Sequence, residues 1–211
     1  MGLFFNRELE NGATISLWEI VETEEQLLLL SSISKQELEE LQLIKNGARR
    51  REKLAVLVLL NEIYGGKLSL DYHNNGRPFI QNSNSQISIS HTSRFVSIIT
   101  HSQEIVGIDI EMLNRNFSAV EKKALSSEEI ENLSDLDRDL HLAIHWSAKE
   151  AIFKRVSCLG VDFAKQIFIK KFTPQKSGQL TAIFLDKAGE EQEFHLNYEI
   201  LEDHIMAWLV G

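Results

Sequence analysis

One order of elements occurs twice along this chain and limits the folds that are open to it. A segment with helical spacing at 48–64 ends at a glycine pair that begins with Gly65, and short alternating segments typical of strands follow it. A second such helix, at 140–157, ends before Gly160 and is again followed by strand-like segments. Short strands joined by polar turns favour antiparallel pairing, so this order predicts an α+β fold.

The repeated order predicts two similar halves, residues 1–105 and 106–211, related by a pseudo-twofold axis. Each half should contain one long helix packed on a small antiparallel sheet, with a site between the halves. The predicted strands are 14–21, 67–72, the segment around 79, 87–90, 95–100, 105–110, 167–172, 179–185, 193–200 and 204–209. The predicted helices are 23–44 with a cap at Thr23, 48–64, 119–125, 127–133 with a cap at Ser127, and 140–157.

Composition narrows the class of protein. Hydrophobic residues make up 43% and charged residues 25% of the chain, which is typical of a globular protein. The net charge of -9 disfavours a broad nucleic-acid footprint, so an anionic ligand would need a local basic cluster. The one cysteine, Cys158, is expected to be a small core residue. A single cysteine, together with no signal peptide in view, indicates a cytoplasmic protein. The apolar runs are too short to span a membrane.

Two acidic residues stand two positions apart in the sequence VGIDIE, at 106–111. Alternate side chains of a strand share a face, so Asp109 and Glu111 project from the same side. Neighbouring carboxylates repel each other, and a hard cation such as magnesium relieves that repulsion by binding to both. The alternative is an acidic strand end that faces solvent.

The second long helix contains the sequence HWSAKEAIFK, at 145–154. Trp146, Glu150 and Lys154 recur every four residues and therefore lie along one face of the helix. Glu150 would be a third carboxylate for a metal, while Lys149 and Lys154 would reach phosphate groups. The structural alternative is an ion pair between Glu150 and Lys154, worth about 0.3 to 0.5 kcal/mol, with Trp146 in the core.

Further polar residues of the first predicted half are candidates for binding an anion. Ser90 and His91 end the strand-like sequence ISISHT, and a histidine in such a loop can donate to a phosphate oxygen. Arg77 lies between an Asn-Asn-Gly turn and Pro78, and its backbone is partly fixed by that neighbour. Arginines at 49–51 begin a helix, where the helix dipole disfavours positive charge. Their placement indicates either a nearby anion or a solvated face.

The order of the motifs NGRPFI, SISHT, VGIDIE and WSAKEAIFK resembles that of phosphopantetheinyl transferases of the larger, surfactin-synthetase-activating type. The resemblance spans about residues 48–170, and the pair GIDIE and WSAKEAIFK at this separation is its most specific part. Transferases of that type contain two similar α+β halves in one chain, which agrees with the repeated order of elements. Neither end of the chain contains a motif that we can match.

The resemblance implies roles for the residues that match its motifs. Asp109, Glu111 and Glu150 would hold a magnesium ion that bridges the pyrophosphate of coenzyme A. Lys154 would contact the phosphates and, with Asp109 and Glu150, take part in catalysis. Lys149 would either contact coenzyme A or orient the acids. The other implied contacts to coenzyme A are Arg50 or Arg51, with the register of the three arginines left open, and Arg77, Ser90 and His91.

The resemblance also implies a reaction, in which the 4'-phosphopantetheine arm of coenzyme A moves to a serine of an apo acyl or peptidyl carrier protein and 3',5'-ADP is released. Glu150 is the first candidate for the base that takes the serine proton, either directly or through a metal-bound water. Residues 113–139 align with the region that meets the carrier. Candidate basic patches for docking are Arg115 with Lys122 and Lys123, or Lys170 with Lys171.

Several choices stay open at the level of sequence. The carrier can belong to fatty-acid, polyketide or nonribosomal peptide synthesis, and two halves in one chain predict a monomer. One alternative function is a non-catalytic protein of the same fold that binds coenzyme A or a carrier protein. Another is a metal-dependent phosphoester hydrolase, which would be expected to supply more Asp and His ligands for a two-metal site than these motifs contain.

Overall fold

The structure is a computed structural model that describes residues 2–211, and its antiparallel sheets and helices confirm the predicted α+β fold. The strands are β1 (Leu3–Glu8), β2 (Thr14–Glu19), β3 (Leu70–Tyr72), β4 (Pro78–Ile80), β5 (Gln86–His91), β6 (Phe95–His101), β7 (Val106–Met112), β8 (Ile167–Ile169), β9 (Ser177–Leu185), β10 (Glu191–Leu201) and β11 (His204–Val210). The helices are α1 (Glu24–Ser31), α2 (Lys35–Gln42), α3 (Gly47–Tyr64), α4 (Ser118–Ala124), α5 (Ser127–Glu131), α6 (Arg138–Val156) and α7 (Phe163–Gln166).

Two antiparallel sheets organise the chain. The first has the strand order β1-β2-β6-β5, and the second has the order β7-β11-β10-β9-β8. A short ribbon of β3 and β4 is separate from both. The first sheet uses only strands that precede residue 102, and the second only strands that follow residue 105. Neighbouring strands in each sheet therefore come from one continuous part of the chain.

Each sheet is covered by one long helix. The buried face of α3 shares an apolar cluster with Val96 and Ile98 of β6. The buried face of α6 shares another with Ala207 and Leu209 of β11. Burying apolar side chains in this way removes their surface from water, and this is the main stabilising contribution in a fold of this size.

A third apolar cluster joins the two sheets. Ile15 and Phe95 of the first sheet lie in the same buried group as Ile108, Met206 and Trp208 of the second. β7 is the strand of the second sheet that packs against β5 and β6. The junction therefore brings the end of β5, with its serine and histidine, close to the acidic end of β7.

The predicted helix 23–44 is wrong in its length, because the structure contains two helices there. Ser32 adopts a left-handed conformation at φ 51°, and Ser34 starts α2 with a capping box that includes Glu37. This capping signal, a serine followed three residues later by a glutamate, is present in the sequence. The predicted cap at Thr23 is confirmed.

Other boundaries also differ from the predictions. Strand β1 was not predicted, although it pairs with β2 along most of its length. α5 is capped by Ser126 instead of Ser127, and α6 ends at a left-handed Ser157 before Gly160 is reached. Cys158 is exposed, so its prediction as a core residue is wrong. Within residues 2–211, no helix combines the length and the apolar character that crossing a bilayer requires.

Candidate functional site

A glycine in β7 allows α6 to approach the strand that presents the acids. A Cβ atom on Gly107 would lie 2.1 Å from the carbonyl oxygen of Ala151, a distance that real side chains essentially never show. Any other residue would push α6 away from β7. The close approach puts Glu150, next to Ala151 on α6, near Asp109, two residues along β7. This packing explains why glycine precedes the acids in the motif.

Asp109 is the buried centre of the site. Its Oδ1 atom accepts a 2.9 Å hydrogen bond from Ser90 Oγ and a 2.8 Å bond from Lys154 Nζ. Its Oδ2 atom is buried and has no hydrogen-bond partner among residues 2–211. Lys154 also donates to the carbonyl oxygen of Ile108 at 3.0 Å, which fixes its ammonium group beside the acid. The predicted alternative of a Glu150–Lys154 pair is therefore wrong, since Lys154 pairs with Asp109.

Glu111 and Glu150 complete the acidic group. Glu111 Oε1 accepts a 2.8 Å hydrogen bond from the Trp146 indole and also contacts the guanidinium of Arg115. Trp146 is therefore a part-buried hydrogen-bond donor as well as a packing residue. Burial, followed by the nearby charge of Asp109 and then that of Glu111, raises the pKa of Glu150 to about 7. The three carboxylates thus interact electrostatically as one site.

The three carboxylates are suited to a hard divalent cation, although Lys154 and Arg115 neutralise part of their negative charge. Among residues 2–211, no three His, Cys, Asp or Glu side chains are already grouped as a metal site. Carboxylate oxygens are the donors that Mg2+ prefers, and the unpartnered Asp109 Oδ2 is a buried atom that a cation would satisfy. The assignment of Asp109, Glu111 and Glu150 as metal ligands stays a prediction.

A cavity of about 550 Å³ opens beside the acids. Residues from α2, α3, β3, β4 and β5 line it together with the end of α6, so it lies between the first half of the chain and that helix. Its volume is in the range of small-molecule sites in proteins. Its basic side chains are Arg49, Lys53, Arg77, His91 and Lys154, and its acidic ones are Glu37, Glu40 and Asp71.

His91 and Arg77 line this cavity, as a role in anion binding requires. Arg49 Nη1 lies 2.6 Å from His91 Nε2, and Glu52 Oε2 lies 3.3 Å from His91 Nδ1 and 3.1 Å from the same Arg49 nitrogen. Burial and then the Arg49 guanidinium lower the pKa of His91. Arg77 donates to the side chain of Gln86 at 2.9 Å, which orients its guanidinium. These contacts hold both residues at the wall of the cavity.

The three consecutive arginines have different environments. Arg50 makes a bidentate pair with Glu24 of α1, at 2.6 and 2.9 Å, and also donates to the carbonyl oxygen of Ile44. Arg51 donates to backbone carbonyl oxygens at the end of β2. Only Arg49 of the three lines the cavity. Arg49 is therefore the one of the three that is placed to meet a ligand in the cavity, although it also pairs with Glu52 at 3.1 Å, and the expected contact of Arg50 or Arg51 with coenzyme A stays a prediction.

Lys149 is buried in the second half of the chain, with a side-chain exposure of 0%. Its ammonium group donates to Glu129 Oε2 at 2.7 Å and to the carbonyl oxygens of Ala124, Ile167 and Phe163. No donor is left for a ligand, and no part of the side chain reaches solvent. The expected contact between Lys149 and coenzyme A is therefore corrected to a structural role, since neighbouring residues on a helix point in different directions.

Ser90, an expected contact of coenzyme A, does not lie at the cavity wall. Its hydroxyl is buried and donates to Asp109, and the residue does not line the cavity.

Of the candidate docking residues, Arg115 contacts Glu111, and Lys170 pairs with Glu193 at 2.7 Å. Sequence reasoning did not identify Glu52 or the hydrogen bond of Trp146. The only signal for Trp146 was its position on the same helical face as Glu150.

Three carboxylates beside a cavity with a basic wall define a site suited to a ligand that bears phosphate groups and a divalent metal. Residues 105–209 match the family model of the 4'-phosphopantetheinyl transferase superfamily. The matched residues run from just before β7 into β11 and make up just under half of the chain. The matched region includes the three acids and Lys154. No curated protein matches the chain.

Proposed function

We propose that this protein is a magnesium-dependent 4'-phosphopantetheinyl transferase of the surfactin-synthetase-activating type. It transfers the 4'-phosphopantetheine arm of coenzyme A to a serine of an apo acyl or peptidyl carrier protein and releases 3',5'-ADP. The observation that supports this most is the electrostatic coupling of Asp109, Glu111 and Glu150, near a cavity with basic side chains on its wall and within the region that matches the transferase superfamily model.

The cavity is the proposed site of coenzyme A. Arg49, Arg77, His91 and Lys154 supply positive charge or hydrogen-bond donors along its wall, and phosphate oxygens are strong acceptors for such groups. The net charge of the chain is -9, so this local cluster is the part of the surface that can attract a polyanion. Coenzyme A would span the wall between the first and second sheets, with its pyrophosphate towards the acids.

Asp109, Glu111 and Glu150 would hold Mg2+. When bound, the ion would neutralise the negative charge of the pyrophosphate and of the departing nucleotide. Ser90 keeps Asp109 in position through its hydroxyl, and Trp146 does the same for Glu111 through its indole. These two hydrogen bonds come from outside the acidic group, and they limit the positions that the carboxylates can adopt.

In the proposed reaction, the carrier's serine oxygen forms a bond to the pantetheine-side phosphorus, and the bond from that phosphorus to the bridging oxygen of 3',5'-ADP breaks. The serine proton passes to Glu150, whose pKa is raised to about 7 by burial and by the neighbouring Asp109. Lys154, fixed by Ile108 and Asp109, and His91 donate to oxygens on which negative charge increases. Positioning of the two substrates supplies much of the remaining rate enhancement.

The site is proposed to lie between two halves of one chain, residues 1–105 and 106–211. The cavity wall draws Arg49, Arg77 and His91 from the first and Lys154 from the second. A complete site within one chain supports a monomer. Residues 113–139 are proposed to meet the carrier, which can serve fatty-acid, polyketide or nonribosomal peptide synthesis, and a cytoplasmic location is part of the same proposal.

Replacing Asp109 tests the proposed function. Asp109→Asn keeps the size of the side chain but removes a charge, and transfer should fall on the order of 10²-fold or more. Glu190→Gln, which removes a charge at an exposed position in the turn between β9 and β10, is the control and should retain activity. Normal turnover of a folded Asp109→Asn variant would contradict the proposal. Coenzyme A binding by the unmodified protein without any transfer would favour the non-catalytic alternative.

A further inference from the structure

Arg115 occupies an unusual place next to the acidic group. It lies in the turn between β7 and α4, and its guanidinium contacts the Glu111 carboxylate four residues earlier. The same guanidinium lies over the rings of Trp146 and Phe117, at 5.3 and 5.5 Å from their centroids. Trp146 donates to the Oε1 atom that Arg115 contacts. One carboxylate oxygen is therefore shared by an arginine and an indole.

The acidic group has two cations of its own, and they are held differently. Lys154 is bound to a side chain and to the backbone carbonyl oxygen of Ile108, and its side chain is 25% exposed. Arg115 lies on a turn, with a side chain that is 44% exposed, and contacts the site through Glu111 and the two rings. Lys154 is fixed, whereas Arg115 can leave without breaking any backbone contact of its side chain.

Charge balance favours an exchange at Glu111. When all three carboxylates are ionised, as a bound cation would favour, they face two cationic side chains, which leaves one negative charge in a partly buried site. A divalent ion and Lys154 together would balance the charge of the three acids only if Arg115 were absent. Two cations on the same carboxylate would repel each other at short distance. The unpartnered Oδ2 atom of buried Asp109 is a second, independent indication that a cation belongs at this site.

We propose that Arg115 is an exchangeable counter-ion, which pairs with Glu111 when no metal is bound and is displaced by the divalent ion. Arg115 thereby sets the affinity of the site for metal. Binding of the metal and binding of Arg115 to Glu111 compete, so removal of one must strengthen the other. The inference rests on the proposed function only for the identity of the metal ligands, and it concerns binding instead of transfer.

The test is calorimetric titration of Mn2+ into the full chain without coenzyme A or carrier. Arg115→Gln should bind Mn2+ about three- to tenfold more tightly than the unmodified protein, as expected for loss of a partly exposed competing charge. In a Glu111→Gln background, the same Arg115→Gln change should have no effect on the affinity for Mn2+. Equal or weaker Mn2+ binding by Arg115→Gln in the presence of Glu111 would overturn the inference.

Fluorescence of the unmodified protein gives a test that needs no Arg115 variant. Displacement of Arg115 from the Trp146 ring should change the fluorescence emission of that tryptophan as Mg2+ is added. The Trp146→Phe variant is the control, because its emission comes only from Trp18 and Trp208. An Mg2+-dependent change that is absent in Trp146→Phe supports the exchange, and no change in the unmodified protein overturns it. If neither metal ion binds, this inference fails, while the carrier assay still decides the proposed function.

Discussion

Ser90 Oγ, at the end of β5 in the first sheet, donates a 2.9 Å hydrogen bond to Asp109 Oδ1 on β7 of the second. Both side chains are buried, so this bond crosses the junction of the sheets in a region of low dielectric. It connects the packing of the two sheets directly to the position of the central acid.

Ser90→Ala should destabilise the fold by about 1 to 3 kcal/mol, because the buried Asp109 carboxylate loses a donor. It should lower the rate of transfer and leave the KM for coenzyme A unchanged, since Ser90 does not line the cavity. Urea unfolding and steady-state kinetics measure the two effects. Ser97→Ala, which removes a hydrogen bond to the Ser90 carbonyl oxygen instead, is the control. A raised KM with unchanged stability would instead indicate contact with coenzyme A.

Substitution by glutamine should have different effects at two adjacent arginines. Arg49→Gln should raise the KM for coenzyme A about tenfold or more, because it removes a charged donor from the cavity wall. Arg50→Gln should lower the free energy of unfolding, because it breaks the paired hydrogen bonds to Glu24, and should leave that KM unchanged. The reverse pattern would show that the register of the arginines is misassigned.

Lys149→Met should lower the free energy of unfolding by about 3 to 5 kcal/mol, because it leaves the Glu129 carboxylate buried without its partner. The double variant Lys149→Met/Glu129→Leu should recover part of this loss, since no unpaired charge then remains buried. Denaturant unfolding of the three proteins gives the comparison. Unchanged stability of Lys149→Met together with weaker coenzyme A binding would contradict the structural role.

Acid should destabilise the protein in two stages. Burial, with a smaller effect of His145, lowers the pKa of His141 from 6.5 to about 4 in the folded state, so the unfolded chain takes up a proton first as the pH falls. Stability should therefore decrease by about 2 kcal/mol from pH 7 to pH 5. His141→Asn retains an acceptor for the Ser134 amide and should remove most of this decrease, as urea unfolding at both pH values would measure. An unchanged decrease in that variant would contradict the assignment.

The second stage belongs to Glu129. Burial opposes its ionisation, yet His145, Lys149 and the amide of Ile169 together lower its pKa from 4.5 to about 2. The stability that it contributes is present above pH 4.5 and is lost as the pH falls towards 2. This loss should follow that of His141 and should be absent from the Lys149→Met/Glu129→Leu variant.

The nearness of the three acids could be predicted from the sequence, because much of the necessary information is local. Alternation in a strand puts Asp109 and Glu111 on one face, and helical spacing puts Trp146, Glu150 and Lys154 on another. Those periodicities hold in any fold that contains these elements. The resemblance to known transferases then supplied the expectation that the strand and the helix meet.

The basic part of the site could not be predicted to the same extent, because it depends on tertiary partners. Three consecutive arginines have the same local signal, and only the position of Glu24 on α1 distinguishes Arg50 from Arg49. Likewise, helical spacing cannot reveal that Lys149 is enclosed by Glu129 and three carbonyl oxygens. The Gly107 contact with α6 was equally inaccessible, since it arises from two segments that are distant in sequence.

Transfer by this protein can be measured from the mass of an apo carrier protein after incubation with this protein, coenzyme A and Mg2+. We predict a gain equal to one phosphopantetheine arm on the carrier's serine, and no gain when EDTA removes the metal or when Asp109 is replaced by Asn. A carrier of unchanged mass, from a folded protein that binds both coenzyme A and an apo carrier, would contradict this prediction.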